Sequence, residues 1–243
     1  MFAKNIHIGC SSFYIVKRKN VFYPENILSA KWFAFYCMHF NSFEINATFY
    51  KFSTLLILIN WYKKSPDGFI HCVKAPKLIK YAKKLVYYKS KIDEFFSLCR
   101  QKLNDKLGCI LFQSPPSFHY SAKKLALTVE ATSSDFKTMN AFRYQGWWSQ
   151  EASDWLAKND ITFCSVSHRT IPPNIIANSA IDYIRLLGIS KMFYSKYSRT
   201  DLLKLHDVVT DKKLFAQVFI FVNNAASKAG VLNAKELKTL FKS

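Results

Sequence analysis

The feature that most constrains the fold of this chain is an alternation repeated along its length: a short apolar run, a polar or turn residue, then a longer amphipathic stretch. Eight runs recur, at Ile6–Ser12, Ser42–Thr48, Phe69–Ala75, Leu107–Ser114, Thr138–Tyr144, Ile161–Ser167, Ile181–Gly188 and Leu214–Asn223. Between them, helical patterning covers Ser29–Phe40, Thr54–Lys64, Lys91–Leu103, Ser149–Asn159, Thr200–Val209 and Ala229–Phe241. Arg169–Asn178, after the sixth run, carries two prolines and reads as a loop. Eight strand–helix alternations in 243 residues match the (β/α)8 barrel, a fold of about 250 residues. The prediction is therefore an α/β chain, a TIM (β/α)8-type barrel forming one domain over residues 1–243. A doubly wound open sheet is the competitor. It loses ground because Gly9-Cys10-Ser11-Ser12, after the first run, is neither a G-x-G-x-x-G turn nor a phosphate-binding P-loop.

Composition agrees with a folded chain: 50% of residues are hydrophobic, 16% aromatic and 21% charged, which excludes disordered and fibrous classes. The longest apolar stretch, Leu55 to Tyr62, is broken by Asn60 and falls well short of the roughly 20 residues a bilayer span needs. No membrane partner is expected. The opening residues offer no apolar run ahead of a small-residue cleavage site, so a cytoplasmic location is expected, and the sequon Asn46-Ala47-Thr48 is discounted with it. Cysteines 10, 37, 72, 99, 109 and 164 form no C-x-x-C pair, which argues against a zinc knuckle or a dithiol redox site. They are expected to be reduced and mostly buried, and neither a metal nor a cofactor is expected.

The formal charge of +19 accompanies a general abundance of Lys, Asn, Ile, Phe and Tyr, a mixture that a biased genome produces without selection for a partner. The excess peaks locally at Lys77–Lys91, where Lys77, Lys80, Lys83, Lys84, Lys89 and Lys91 interleave with Tyr81, Tyr87 and Tyr88 and no acid intervenes. Lysine with aromatics suits single-stranded nucleic acid, ammonium groups meeting phosphates and rings stacking on bases. The commoner meaning of such a run is a solvated loop and helix face, which ranks first.

The polar residues within the apolar runs say more about function. Period-two alternation places Glu44, Asn46 and Thr48 on one face of the second run, with Phe43 and Ile45 on the other. Lys74, Gln113, Arg143, Arg185 and the pair Asn223-Asn224 stand near the ends of the third, fourth, fifth, seventh and eighth runs. In a barrel those carboxyl ends converge on the mouth that carries the active site. One such residue is usually a structural partner; several at equivalent strand ends point to a shared cavity.

These residues also carry a resemblance. The blocks are Val21-Phe-Tyr-Pro-Glu, Phe40-Asn-Ser-Phe-Glu-Ile-Asn-Ala-Thr-Phe-Tyr, Trp61 with Ser65-Pro-Asp-Gly-Phe and then Val73-Lys74, and Leu107-Gly-Cys-Ile-Leu-Phe-Gln-Ser-Pro-Pro. Phe142-Arg143 with Trp147, Tyr183-Ile-Arg-Leu, and Phe221-Val-Asn-Asn with Asn233-Ala follow in the same order. Together they resemble domain of unknown function 72, the YecE-like proteins, over nearly the whole chain. The resemblance implies a TIM-barrel fold and a site-like mouth without naming a substrate. Against the family pattern, Ile79-Lys80-Tyr81 stands for Ile-Thr-His, Ala141 for the Glu of Glu-Phe-Arg, Ser167 for an Asp closing the sixth strand, and Leu187 for the His of Arg-Leu-His-Gly. Ser227 and Lys228 replace glycines after Asn223-Asn224. Glu44, Asn46, Tyr50, Lys74, Gln113, Arg143, Arg185 and Asn223 survive, a set richer in cations than in proton-transfer groups.

A lone Glu44 cannot supply paired acid and base roles, but beside Lys74 it could serve a lysine base or a Schiff base; the commoner role of such a pair is to hold strands together. Glu44 and Lys74 are the catalytic candidates, and Asn46, Tyr50, Gln113, Arg143, Arg185, Asn223 and Asn224 the ligand-binding ones. Guanidinium forks at Arg143 and Arg185, with Lys74, suit phosphate or carboxylate oxygens, so the expected partner is a small anionic ligand. Lys77, Lys80, Lys83 and Lys84 are the nucleic-acid candidates. Of the histidines, His7 and His71 fall early in their strands, His39 lies in a helix, and His168 alone could approach the mouth. Ser11 and Ser12 have no evident base. Two readings stand: an enzymatic barrel acting on an anionic substrate, and a barrel whose catalysis is weakened or lost and which persists as a binding protein.

Overall fold

The computed structural model describes residues 5–46, 55–76, 89–132, 136–211, 215–224 and 228–242. Eight parallel strands close into a barrel in sequence order: β1 (Asn5–Cys10), β2 (Ser42–Ile45), β3 (Ile70–Lys74), β4 (Leu107–Gln113), β5 (Thr138–Ala141), β6 (Ile161–Ser167), β7 (Ile181–Leu186) and β8 (Gln217–Val222). The closing pair β1–β8 is in register from Asn5 opposite Gln217 to Cys10 opposite Val222. Among the described residues seven helices surround it: α1 (Trp32–His39), α2 (Leu55–Lys64), α3 (Lys89–Leu103), α4 (Ala122–Thr132), α5 (Gln150–Ala157), α6 (Arg199–Asp211) and α7 (Ala229–Leu240). None is long and apolar enough to cross a membrane.

Each predicted apolar run coincides with a strand, β1 beginning one residue ahead of its run, at Asn5. The Ser29–Phe40 helix begins as a 3₁₀ turn, Ser29–Lys31, before α1 takes over. Helix α4 is absent from the sequence expectation, because its inward face is Leu125, Thr128, Ala131 and Thr132, small or hydroxylated residues with weak apolar periodicity. Thr128 and Thr132 return their hydroxyls to the carbonyls of Lys124 and Thr128, each at 2.7 Å, and so bury without orphaned donors. Ser149 caps α5 by accepting from the Ala152 N–H at 3.2 Å. Between β6 and β7, residues 168–180 form no helix, as the prolines suggest.

Period-two alternation sorts the barrel side chains into two cores. Cys72, Cys109, Leu111, Met139, Ala141, Cys164, Val166, Tyr183, Phe219 and Phe221 fill the lumen. Ile8, Phe43, Ile45, Val73, Ile110, Ile184, Leu186, Val218, Ile220 and Val222 face the helix layer. The alternation along β7 is what turns Tyr183 and Arg185 inward, and along β2 Phe43 and Ile45 point out so that Glu44 points in. The cysteines are free thiols, five buried and Cys37 partly exposed.

The β1–β2 ladder is short, pairing only Gly9 with Ser42 and Cys10 with Phe43, and side chains complete it. Asn41 accepts from the Ile8 N–H at 3.0 Å and donates to the Ile6 carbonyl at 3.1 Å. The Tyr36 hydroxyl accepts from the Cys10 N–H at 2.7 Å and donates to the Ser42 carbonyl at 2.8 Å. A β-carbon at Gly9 would overlap that Ser42 carbonyl and crowd the Tyr36 hydroxyl, so only glycine lets the strands approach this closely.

Candidate functional site

At the carboxyl end of the lumen, four strands contribute to one hydrogen-bonded cluster. Arg185 reaches from β7 to Glu44 on β2, Nε donating to Oε2 at 2.9 Å and Nη2 to Oε1 at 2.8 Å. Its Nη1 donates to Gln113 Oε1 of β4 at 2.7 Å, and Nη2 donates again to Asn223 Oδ1, just beyond β8, at 3.1 Å. Glu44 Oε2 also accepts from the Tyr183 hydroxyl at 2.7 Å, and Oε1 accepts from Asn46 Nδ2 at 3.2 Å. Exposure of Glu44 is 0% and of Arg185 2%, so both charges have exchanged water for one another and for neutral partners.

The electrostatics follow from that burial. Desolvation pushes the Glu44 carboxyl up, but the Arg185 guanidinium and its hydrogen bonds, helped by Lys74, overcome this and hold it below the usual carboxylate value. Arg185 moves the opposite way: desolvation, the largest single influence, lowers it, but the charge of Glu44, with Cys164, Tyr183 and the hydrogen bond to Glu44, together raise it. The directions agree: both groups stay ionised. Tyr183, buried against Glu44, is held far above the ordinary tyrosine value by desolvation and by that carboxylate, and acts as a donor.

The sequence-derived set therefore divides. Glu44, Gln113, Arg185, Asn223 and Asn46 are joined by direct hydrogen bonds, and Asn46 Nδ2 additionally holds the Ser11 carbonyl at 3.2 Å while its Oδ1 is buried without a partner. Lys74, nearly buried at the end of β3, adds charge to Glu44, but the ion-pair partner of that carboxylate is Arg185, not Lys74. The Arg185 guanidinium, expected to meet a ligand, makes four hydrogen bonds within the protein, two to Glu44 and one each to Gln113 and Asn223. Asn224, expected to bind ligand beside Asn223, donates from Nδ2 to the Ser195 carbonyl and tethers the segment after β7. Tyr50, Thr48, Tyr81, Lys77, Lys80, Lys83 and Lys84 lie outside the described residues; Lys89, which is described, pairs with Asp93 on the solvent-facing side of α3.

Arg143 stands two residues past the end of β5 and is only partly buried. Its Nε is buried without a hydrogen-bond partner, and burial, with Arg185 nearby, lowers its pKa from the ordinary value. It lines a cavity of about 470 Å³ with Pro116 after β4, His168, Arg169 and Thr170 after β6, and Ser190, Lys191 and Met192 after β7. Among the described residues of its lining none is acidic. His168 Nδ1 accepts from the Thr170 backbone N–H at 3.3 Å and sits 2.9 Å from the Thr170 hydroxyl. That fixes the lone pair on Nδ1 and leaves the proton on Nε2. Burial, then Arg143 and Arg169, lower its pKa, so the ring is neutral at pH 7.

Sequence reasoning named Arg143 and gave His168 a possible approach, but it missed Tyr183, Arg169 and Lys191. The parity of β7 could have found Tyr183, two positions before Arg185. Arg169 and Lys191 lie on loops, where no periodicity fixes direction. Among the family departures, Ala141 and Leu187 are buried in the lumen core. Ser167 accepts from the Tyr197 hydroxyl at 2.9 Å, and that hydroxyl in turn accepts from the Gly188 N–H. No group of three or more His, Cys, Asp or Glu side chains among the described residues is arranged to hold a metal ion.

A second cavity of about 590 Å³ lies outside the barrel, between β6–β7 and α6, with Ile184, Leu186, Leu202, Leu205 and Val208 in its lining. It occupies the sector where residues 168–180 replace a helix.

The family described as "Protein of unknown function DUF72" matches residues 7–243. Among solved structures, a DUF72 family protein from Thermotoga maritima superposes with a TM-score of 0.87 at 22% identity, covering 98% of this chain and 100% of the other. A DUF72 family protein from Enterococcus faecalis matches with a TM-score of 0.79 at 16% identity, covering 98% of this chain and 96% of that one. At these identities the likeness concerns the fold. No curated protein matches significantly.

Proposed function

The chain belongs to the DUF72 family, and from that premise we propose that it is a barrel that binds a small anionic ligand at its mouth, through the Arg143 cavity, with catalysis weakened. The observation that carries this reading is the charge of that cavity: Arg143, Arg169 and Lys191 line it with no carboxylate among them, and the Arg143 Nε has no partner. A partly desolvated guanidinium without a counter-ion is poised for one from outside.

Support for weakened catalysis comes from the neighbouring cluster. Glu44 accepts four hydrogen bonds and has no exposure, so it cannot reach a substrate proton without breaking them. It acts as a positioning residue, holding Arg185, whose charge acts on Arg143. Neutral His168 has no carboxylate beside it among the described residues of the cavity lining.

The test is isothermal titration with inorganic phosphate and with acetate on the wild type and on Arg143→Gln. Binding to the wild type that is lost in the variant, with melting temperatures within about 2 °C, is the expected result. Undiminished binding in the variant overturns the reading, and so does a fall in its melting temperature as large as a core substitution gives, because Arg143 is then architectural.

A further inference from the structure

We propose that the anionic group this cavity takes is a phosphoryl dianion, as in a phosphomonoester, held between Arg143, Arg169 and Lys191. The inference rests on the anion-site reading and narrows it.

Charge is the first reason. Three basic side chains line one cavity with no acid among its described lining residues. Arg143 is half-buried while Arg169 and Lys191 are exposed at the rim; a carboxylate monoanion offsets one of the three, whereas a phosphoryl dianion offsets two. Direction is the second. The cations arrive from three separate loops, Arg143 after β5, Arg169 after β6 and Lys191 after β7. A planar carboxylate presents two oxygens in one plane and is satisfied by one guanidinium fork. A phosphomonoester presents three peripheral oxygens around a tetrahedral phosphorus and can meet donors from three sides.

Neutral donors complete the set. With Nδ1 occupied by the Thr170 N–H, the His168 ring offers Nε2–H, a donor that adds no further positive charge. The volume, about 470 Å³, falls in the range of small-ligand pockets and leaves room for an organic group beyond the phosphate. Arg185 does not compete for the ligand, because Glu44 and Gln113 already hold it.

The experiment titrates the full chain with phenyl phosphate, dimethyl phosphate and benzoate at pH 7.5, followed by calorimetry and, for the phosphorus compounds, ³¹P NMR. Phenyl phosphate is expected to bind at least about tenfold more tightly than the other two, and Arg143→Gln and Arg169→Gln each to weaken it about tenfold without changing the circular dichroism spectrum. If benzoate equals phenyl phosphate, the phosphoryl assignment is overturned while the anion site stands. If dimethyl phosphate equals or exceeds it, the assignment is overturned in favour of a phosphodiester such as a nucleic-acid backbone. If none of the three binds, both readings fall.

Discussion

Glu44 and Arg185 meet side-on across the barrel lumen, two nitrogens of one fork on two oxygens of one carboxylate, and so couple β2 to β7 through the interior rather than through the sheet. The chain separation of this pair is 141 residues, and Gln113 and Asn223 extend it to β4 and the end of β8.

Breaking the pair from one side leaves a buried charge uncompensated. Glu44→Gln is expected to cost about 3–5 kcal/mol and to lower the melting temperature by roughly 6–20 °C in a chain of this length. Thermal denaturation by circular dichroism checks it; a shift below about 2 °C would mean that water reaches Arg185 and replaces the carboxylate.

Acid should destabilise the fold well before carboxylates titrate. Burial, with Lys137 secondary, lowers the His7 pKa to about 4, and burial, with Lys106 secondary, lowers that of His71 to about 3. The unfolded chain protonates both near 6.5, so it binds more protons than the native state below that pH. Stability is then full above about pH 6.5 and declines as pH falls toward 4, by up to about 1.4 kcal/mol per pH unit for each ring. Glu44, depressed in the native state, adds its loss only as pH drops below the ordinary carboxylate value. Urea denaturation at pH 7.5, 6 and 5 reads the slope, and a flat profile between 7.5 and 5 contradicts it.

The His168 ring reports on the charge of its cavity. Removing one of the cations that hold its pKa down, by Arg143→Gln, is expected to raise the midpoint of its ring proton shifts in an NMR titration toward 6.5. An unmoved midpoint would place Arg143 too far away, or too well hydrated, to act on it.

Gly9→Ala tests the close approach of β1 to β2. The methyl group meets backbone rather than a yielding side chain, so the strands must separate or the Tyr36 bridge must break. A loss of at least about 2 kcal/mol in chemical denaturation is expected; a neutral substitution would mean that the barrel relaxes there without cost.

The barrel itself was legible because strand periodicity is a local signal, repeated eight times, and each repeat fixes which residues turn inward. That is why Glu44, Gln113, Arg185 and Asn223 could be placed together before any coordinates. Helix α4 was missed because threonine and alanine make a buried face that carries little apolar contrast. The roles within the site were harder to read. Sequence suggested Glu44 with Lys74, since both are polar strand-end residues on adjacent strands, but the longer, planar Arg185 spans the lumen and takes both carboxylate oxygens. Arg169 and Lys191 owe their meeting with Arg143 to loop geometry, which no spacing rule encodes.

The barrel has no bore. Tyr183, Phe219 and Phe221 fill the space beneath the ionic crossbeam, so a visiting molecule can touch the rim and go no deeper. Selectivity in such a vessel belongs to the loops at the lip, which can lengthen, shorten or exchange residues while the interior stays as it is. A lineage built on this plan can change what it holds without ever re-solving how it folds.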